Sequence, residues 1–170
     1  MMKTYYINQK IFTISDKYYI YDINMQPFFE VRSNKLASLW DNFLGNIISI
    51  AHQLTITEMT GNPLLTIKKK VGFFGQDYEI YDQNEKISSI HTHLKTIKPK
   101  ISIQLNETNY SLKGDILGNK FSIYQNEIEV AKITKKRLDY KDRYKIDIFD
   151  ETHELLFLCT VIILDNSYHN

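Results

Sequence analysis

Residues 155–164 read LLFLCTVIIL, and Thr160 is the single polar side chain among them. Such a run must be removed from water, and its length decides how. As a helix, ten residues rise about 15 Å. That is about half of the ~30 Å hydrocarbon core of a bilayer, which needs ~20 residues. The flanks, DETHE and DNSYHN, are too polar to lengthen it. A helix lying on a membrane keeps a polar face, whereas this one is apolar around its whole circumference, the mark of burial on all sides. Thr152 is a candidate cap, with Asp150 and Glu151 near the positive end of the helix dipole. Val161, Ile162 and Ile163 are β-branched, so a fully buried strand is the competing reading. In both cases the rest of the chain has to surround the run.

A chain of 170 residues is long enough for one domain, residues 1–170, with a substantial core. Lys plus Arg number 21 and Asp plus Glu 20, giving a net charge of +1. Any attraction to a polyanion or a membrane must therefore come from local patches. Cys159 is the only cysteine, which excludes an internal disulfide; inside the apolar run it reads as a small buried hydrophobe. The opening stretch, MMKTYYINQKIFTISDKYY, has neither an apolar h-region nor a small-residue cleavage site. The expected compartment is the cytoplasm, with a possible position at the membrane periphery.

Upstream of the run one phrase recurs: YIYD (19–22), LTITE (54–58), YEIYD (78–82), FSIYQN (121–126) and YKIDIFD (144–150). Each alternates apolar with polar residues, the pattern of a half-buried strand. DINMQP, EMTGNP, DQNEK and YQNE supply the Asn, Asp, Gly and Pro of tight turns. Second alternating runs follow them: PFFEVRS, PLLTIKKK, KISSIHTH and IEVAKITKK. The phrase is a β-hairpin used repeatedly. Ile56 to Ile80 and Ile123 to Ile146 suggest a period of 24 or 23 residues, but 43 residues separate Ile80 from Ile123. ISIQLNETNYSLKGDILGN adds a further hairpin there, which argues against a solenoid.

Basic segments join the hairpins: NQKIFTISDK, KKKVGFFGQD, HTHLKTIKPK and KKRLDYKDR. They are expected to cross between strands at one end of the structure. SNKLASLWDNFLGN places Leu36, Leu39, Trp40, Phe43 and Leu44 at helical spacing, with Gly45 as a stop, and predicts a short amphipathic helix near residues 35–44; an irregular strand is the alternative. About a dozen short antiparallel strands and one all-apolar helix point to a mainly β fold. The expected architecture is a closed barrel around the buried C-terminal helix, because closure removes sheet edges and a barrel of that size needs its lumen filled.

QKIFTISDKYYIYDINMQPFFEVRS, GDILGNKFSIYQNEIEVAKITKK (114–136) and the ending LLFLCTVIILD resemble the LURP-one-related family, including its YxjI-like bacterial branch. The resemblance covers almost the whole chain and is carried by spaced patterns. It implies a tubby-like fold, a twelve-stranded barrel around a hydrophobic C-terminal helix, shared with phospholipid scramblases. Lys35 to His52 looks longer than its counterpart. The family has no agreed enzymatic activity. Its tubby relatives bind phosphoinositide headgroups through basic side chains, and no motif carries those positions over individually.

Chemistry-bearing constellations are sparse. His91 and His93 share one strand face and would form half a zinc site, but nothing else has ligand spacing; two ordinary strand histidines explain them. Asp147 and Asp150 bracket Ile148 and Phe149, and turn chemistry accounts for Asp150. Gly72 and Gly75 lack the strand-to-helix context of a phosphate loop. The expectation is that the chain is not an enzyme and carries no cofactor or metal.

The basic runs carry more weight. The candidate lipid-binding residues are Lys68, Lys69 and Lys70; Lys95, Lys98 and Lys100; and Lys135, Lys136 and Arg137. If the linkers gather at one end, these form a positive rim, and each cation near an anionic leaflet gains ~1 kcal/mol. Lysines that merely protect strand ends are the alternative. The functional expectation is a non-catalytic binding module for anionic phospholipid or phosphoinositide headgroups, neither transmembrane nor nucleic-acid binding. A protein-interaction scaffold using the Trp40 helix, with no lipid role, is the alternative.

Overall fold

The computed structural model describes residues 1–8, 17–33, 53–71, 76–93, 100–105, 107–115, 119–136 and 143–168. Twelve strands follow one another: β1 (Lys3–Asn8), β2 (Lys17–Tyr21), β3 (Pro27–Ser33), β4 (Gln53–Glu58), β5 (Pro63–Val71), β6 (Gln76–Asp82), β7 (Glu85–His93), β8 (Lys100–Leu105), β9 (Thr108–Asp115), β10 (Lys120–Gln125), β11 (Ile128–Lys136) and β12 (Arg143–Ile148). Each pairs antiparallel with its sequence neighbours, and β1 pairs with β12, closing the barrel. A 3₁₀ turn (Glu151–His153) leads into helix α1 (Glu154–Tyr168).

The strands form where apolar and polar residues alternate, and the apolar set faces inward. Ile7, Ile20, Val31, Ile56, Ile67, Ile80, Ile90, Ile103, Leu112, Ile123, Ile133 and Ile146 are at most 1% exposed. The helix fills the space they enclose. Every residue from Phe157 to Leu164 is 0% exposed, so two full turns have no solvent face. The apolar run is thus a plug, and the strand alternative does not hold. Its one hydroxyl, on Thr160, donates to the Leu156 carbonyl at 2.9 Å, which removes the cost of a bare polar group in a dry core. Cys159 is buried as expected, and burial pushes its thiol well up.

One local expectation is corrected. Asp150, not Thr152, caps the start of the helical segment: its carboxylate accepts from the Thr152 backbone N–H at 3.0 Å and the Thr152 hydroxyl at 2.6 Å. Asp150 has extended backbone angles suited to a cap, and its carboxylate can take both donors at once.

The recurring phrase also has a recurring backbone feature. Register shifts fall between Ile20 and Tyr21, Ile56 and Thr57, Ile80 and Tyr81, and Ile123 and Tyr124. In each hairpin the step after a fully buried isoleucine of the first strand faces an extra residue in the second, Phe28, Leu64, Ile87 or Val130. Bulges tighten twist and bend a strand, the curvature a closed barrel needs. The amphipathic helix expected near residues 35–44 lies outside the described residues, as do Leu36, Leu39, Trp40 and Phe43.

Candidate functional site

Antiparallel order gives the barrel two different ends. Turns at 22–26, 59–62, 83–84, 106–107 and 126–127 lie at one end, where α1 also enters; this is the hairpin end. The strand ends that flank 9–16, 34–52, 72–75, 94–99, 116–119 and 137–142 all stand at the other, the linker end. The strand ends that the expected linkers join therefore share one rim, and the linkers themselves, Asn119 apart, lie outside the described residues.

Lys68, Lys69 and Lys70 stand near the end of β5, Lys100 is the first residue of β8, and Lys135 and Lys136 close β11. All six are at the linker end. Lys95, Lys98 and Arg137 lie outside the described residues. Strand-end positions add cations outside the candidate runs: Arg32 in β3, Lys120 opening β10, and Arg143, which neighbours the third run in sequence and opens β12. Arg32 and Lys120 belong to no basic run, and counting strand ends at one rim is what finds them.

The clusters share an end but not a patch. In the closed order β5 and β11 are six strands apart in either direction, and β8 lies midway between them. With strands ~4.8 Å apart and tilted ~40°, a twelve-stranded barrel is about 25 Å across. The Lys68–Lys70 and Lys135–Lys136 groups therefore stand across the barrel mouth from each other. They form a ring of charge, and no single small headgroup touches both sides.

Strand alternation sorts the side chains further. Ile67 faces inward, so Lys69 shares its direction while Lys68 and Lys70 lie on the outer wall. Burial lowers the Lys69 pKa. The Lys68 ammonium sits 4.1 Å from the centre of the Tyr81 ring, a cation–π contact. Lys70 reaches Glu79 at 2.7 Å, and Lys86 reaches the same carboxylate at 3.1 Å. The Tyr81 hydroxyl donates to Glu79 at 2.8 Å. Burial alone would raise the Glu79 carboxyl; the hydrogen bonds from Lys70, Tyr81 and Lys86 outweigh it and bring it down to about 2. Lys135 faces the Tyr144 ring at 5.3 Å, and Lys136 is exposed. Arg143 donates through Nε to Asn8 Oδ1 at 2.9 Å, tying β12 to β1 at the rim.

Acids gather in the turns of the hairpin end. Asp22, Glu58, Asp82, Glu85, Glu107 and Glu127 lie in or beside its turns, and residues 22–26, 59–62, 83–84, 106–107 and 126–127 contain no Lys or Arg. Where the helix enters, Glu151 binds the N-terminal ammonium at 3.1 Å and Lys3 at 3.3 Å, while Glu154 takes Lys3 and the Tyr5 hydroxyl.

The other sequence candidates have structural partners. His91 faces Asp77 across the β6–β7 pair on the outer wall. Asp147 accepts from Thr4 at 2.7 Å and Lys145 at 2.8 Å. Among the described residues no group of three or more His, Cys, Asp or Glu is placed to hold a metal ion. An open groove of about 550 Å³ crosses the outer wall over β7–β10, floored by Ser89, Ser102 and Ser111 and edged by Lys113 and Tyr124. Among the described residues no helix is long and apolar enough to cross a membrane.

A closed twelve-strand barrel, plugged by its own C-terminal helix, with basic strand ends at one rim and acid-bearing turns at the other, defines the structural class. The family model for LURP-one-related proteins matches residues 3–165, and the chain belongs to that family. It is 26% identical over 165 residues to the uncharacterized protein YxjI of Bacillus subtilis (strain 168), covering 97% of this chain and 93% of that one. The X-ray structure of the Arabidopsis thaliana protein AT5G01750 has the same fold: the TM-score is 0.64 at 15% identity, over 97% of this chain and 90% of that one.

Proposed function

We propose that the protein is a non-catalytic binding module whose linker end rests on an anionic phospholipid surface, on the cytoplasmic side. The observation that carries this reading is the separation of charge along the barrel axis. Cations of β3, β5, β8, β10, β11 and β12 stand at one end, and every hairpin turn at the other carries or adjoins an acid. With a net charge of only +1, the molecule as a whole is barely attracted to an anionic leaflet. Its charge distribution nevertheless orients it, linker end first, because the field acts on local charge within about a Debye length. A ring about 25 Å across fits an extended surface better than one headgroup. At ~1 kcal/mol per lysine or arginine near the surface, four to six cations give reversible, salt-sensitive adhesion.

Vesicle sedimentation tests this. Phosphatidylcholine vesicles with 30 mol% phosphatidylserine, or a few mol% phosphoinositide, should carry the protein down at low salt. Pure phosphatidylcholine should not, and ~0.5 M salt should release it. Lys68→Glu with Lys136→Glu, on opposite sides of the ring, should reduce binding at least tenfold. Equal recovery on neutral and anionic vesicles at low salt would remove the proposal.

A further inference from the structure

The hairpin end is chemically distinctive beyond its acidity. Every exposed large hydrophobic residue among the described residues lies there. Besides the two N-terminal methionines these are Ile23 (64% exposed), Met25 (37%), Phe28 (47%), Met59 (51%), Ile128 (69%) and Phe149 (42%). They are not spread around the whole rim. Ile128 opens β11, Phe149 follows β12, Ile23 and Met25 lie in the β2–β3 turn, Phe28 is in β3 and Met59 is in the β4–β5 turn, an arc with β1 inside it. The remaining turns of the same end, 83–84 and 106–107, hold only Gln, Asn and Glu. Scattered single hydrophobics on a surface need no explanation, but segregation onto one arc does.

Local geometry holds these side chains outward. The turns 22–26 and 58–62 share a hydrogen-bond pattern: Asp22 N–H to the Gln26 carbonyl and Met25 N–H to the Asp22 carbonyl, matched by Glu58 N–H to Asn62 and Gly61 N–H to Glu58. Gly61 takes the left-handed position in one turn, with φ +94°, and Met25 takes it in the other, with φ +61°. A side chain there costs ~1–2 kcal/mol relative to glycine. The Asp22 carboxylate stabilises that turn by accepting from the Asn24 and Gln26 backbone N–H groups at 2.9 and 2.8 Å. Phe28 leans on Tyr5 and Phe29, with ring centres 5.6 and 4.8 Å away.

We propose that this arc docks a basic amphipathic segment of a partner protein. Charge selects the occupant. Each apolar turn carries its own acid: Asp22 beside Ile23, Glu58 beside Met59, Glu127 and Glu129 around Ile128, Asp150 beside Phe149. An anionic leaflet is repelled by those acids. A segment with apolar residues on one side and Lys or Arg on the other satisfies both halves of the surface. Methionines suit such a role because their unbranched thioether side chains adapt to varied partners. The site lies at the opposite end from the proposed lipid contact and does not depend on it.

The test uses three fluorescent 14-residue peptides with the intact protein: an amphipathic Leu/Lys helix, the same pattern in Leu/Glu, and a Lys/Ser peptide of equal charge. Anisotropy should show the Leu/Lys peptide binding at micromolar concentration, the Lys/Ser peptide at least tenfold more weakly and the Leu/Glu peptide not at all. Met59→Ser with Ile128→Ser, both exposed, should weaken Leu/Lys binding at least tenfold with an unchanged melting temperature. Backbone amide shifts should concentrate at turns 22–26, 58–62 and 126–128. The proposal is overturned if no peptide binds, if Leu/Lys and Lys/Ser bind alike, if the double variant binds as tightly as the parent, or if the shifts map to the linker end. Concentration-dependent self-association abolished by the same double variant would make a second copy the occupant and overturn it equally.

Discussion

Gly114 shows how one residue can be fixed by its neighbour's backbone. It pairs with Phe121 across β9 and β10. A Cβ there would lie 2.6 Å from the Lys120 carbonyl oxygen and 2.8 Å from the Phe121 Cα. Because backbone atoms in a paired strand cannot step aside, Gly114→Ala should destabilise the fold by about 1–3 kcal/mol, read as a lower urea midpoint. Glu79 controls a different property. Its folded pKa is depressed below the ordinary carboxyl value of 4.5 to about 2. Its contribution is therefore fully present above about pH 4.5 and is lost as pH falls towards 2. Glu79→Gln should lower stability at pH 7 by about 1–3 kcal/mol, with Lys70 and Lys86 partly screened by solvent, and should flatten the acid limb of a stability–pH curve. A variant curve parallel to the parent's between pH 2 and 4.5 would contradict this. At this scale the sequence shows part of the candidate site: KKK at 68–70 is visible as a cluster, and alternation already separates Lys69 from its neighbours. It does not show that Glu79, from the next strand, engages Lys70, because that pairing depends on β5–β6 register.

Among elements, the hairpins and the plug are legible for the same reason: burial imposes a period. A strand with one wet face must alternate, and a helix with no wet face must be apolar throughout. β1 is less legible. Lys3–Asn8 forms a six-residue pairing with β12, but nothing local marks it as the strand that closes the barrel. The bulges are hidden too, because the extra residues, Phe28, Leu64, Ile87 and Val130, read as ordinary apolar strand residues. The plug makes the sharpest prediction at this scale. Ile162 is 0% exposed at the centre of the apolar run, and Ile162→Asp would place a carboxylate where no partner can reach it without disrupting packing. The cost is several kcal/mol. The variant should fail to fold cooperatively, shown by loss of a sigmoidal melt, whereas Ile162→Val should cost only about 0.5–1.5 kcal/mol.

Over the whole molecule, one closed sheet gives two chemically unlike ends. Five turns and the incoming helix bring acids and, on one arc, exposed apolar residues to one end; basic strand ends gather at the other. Composition alone hides this, since 21 cations nearly cancel 20 acids. Only the antiparallel order reveals it, by sending alternate connections to opposite rims. It also shows that Lys68–Lys70 and Lys135–Lys136, expected from sequence to form one rim, stand across the mouth from each other. Both ends keep their relation only while the barrel stays closed on its helix. Native-state hydrogen exchange tests that claim most directly. The amides of Phe157–Leu164 should exchange only through global unfolding, with the same free energy and denaturant dependence as the slowest amides of β12 and β6, against which the helix packs. Exchange of the helix through a separate, lower-energy opening, with the strands still protected, would contradict it.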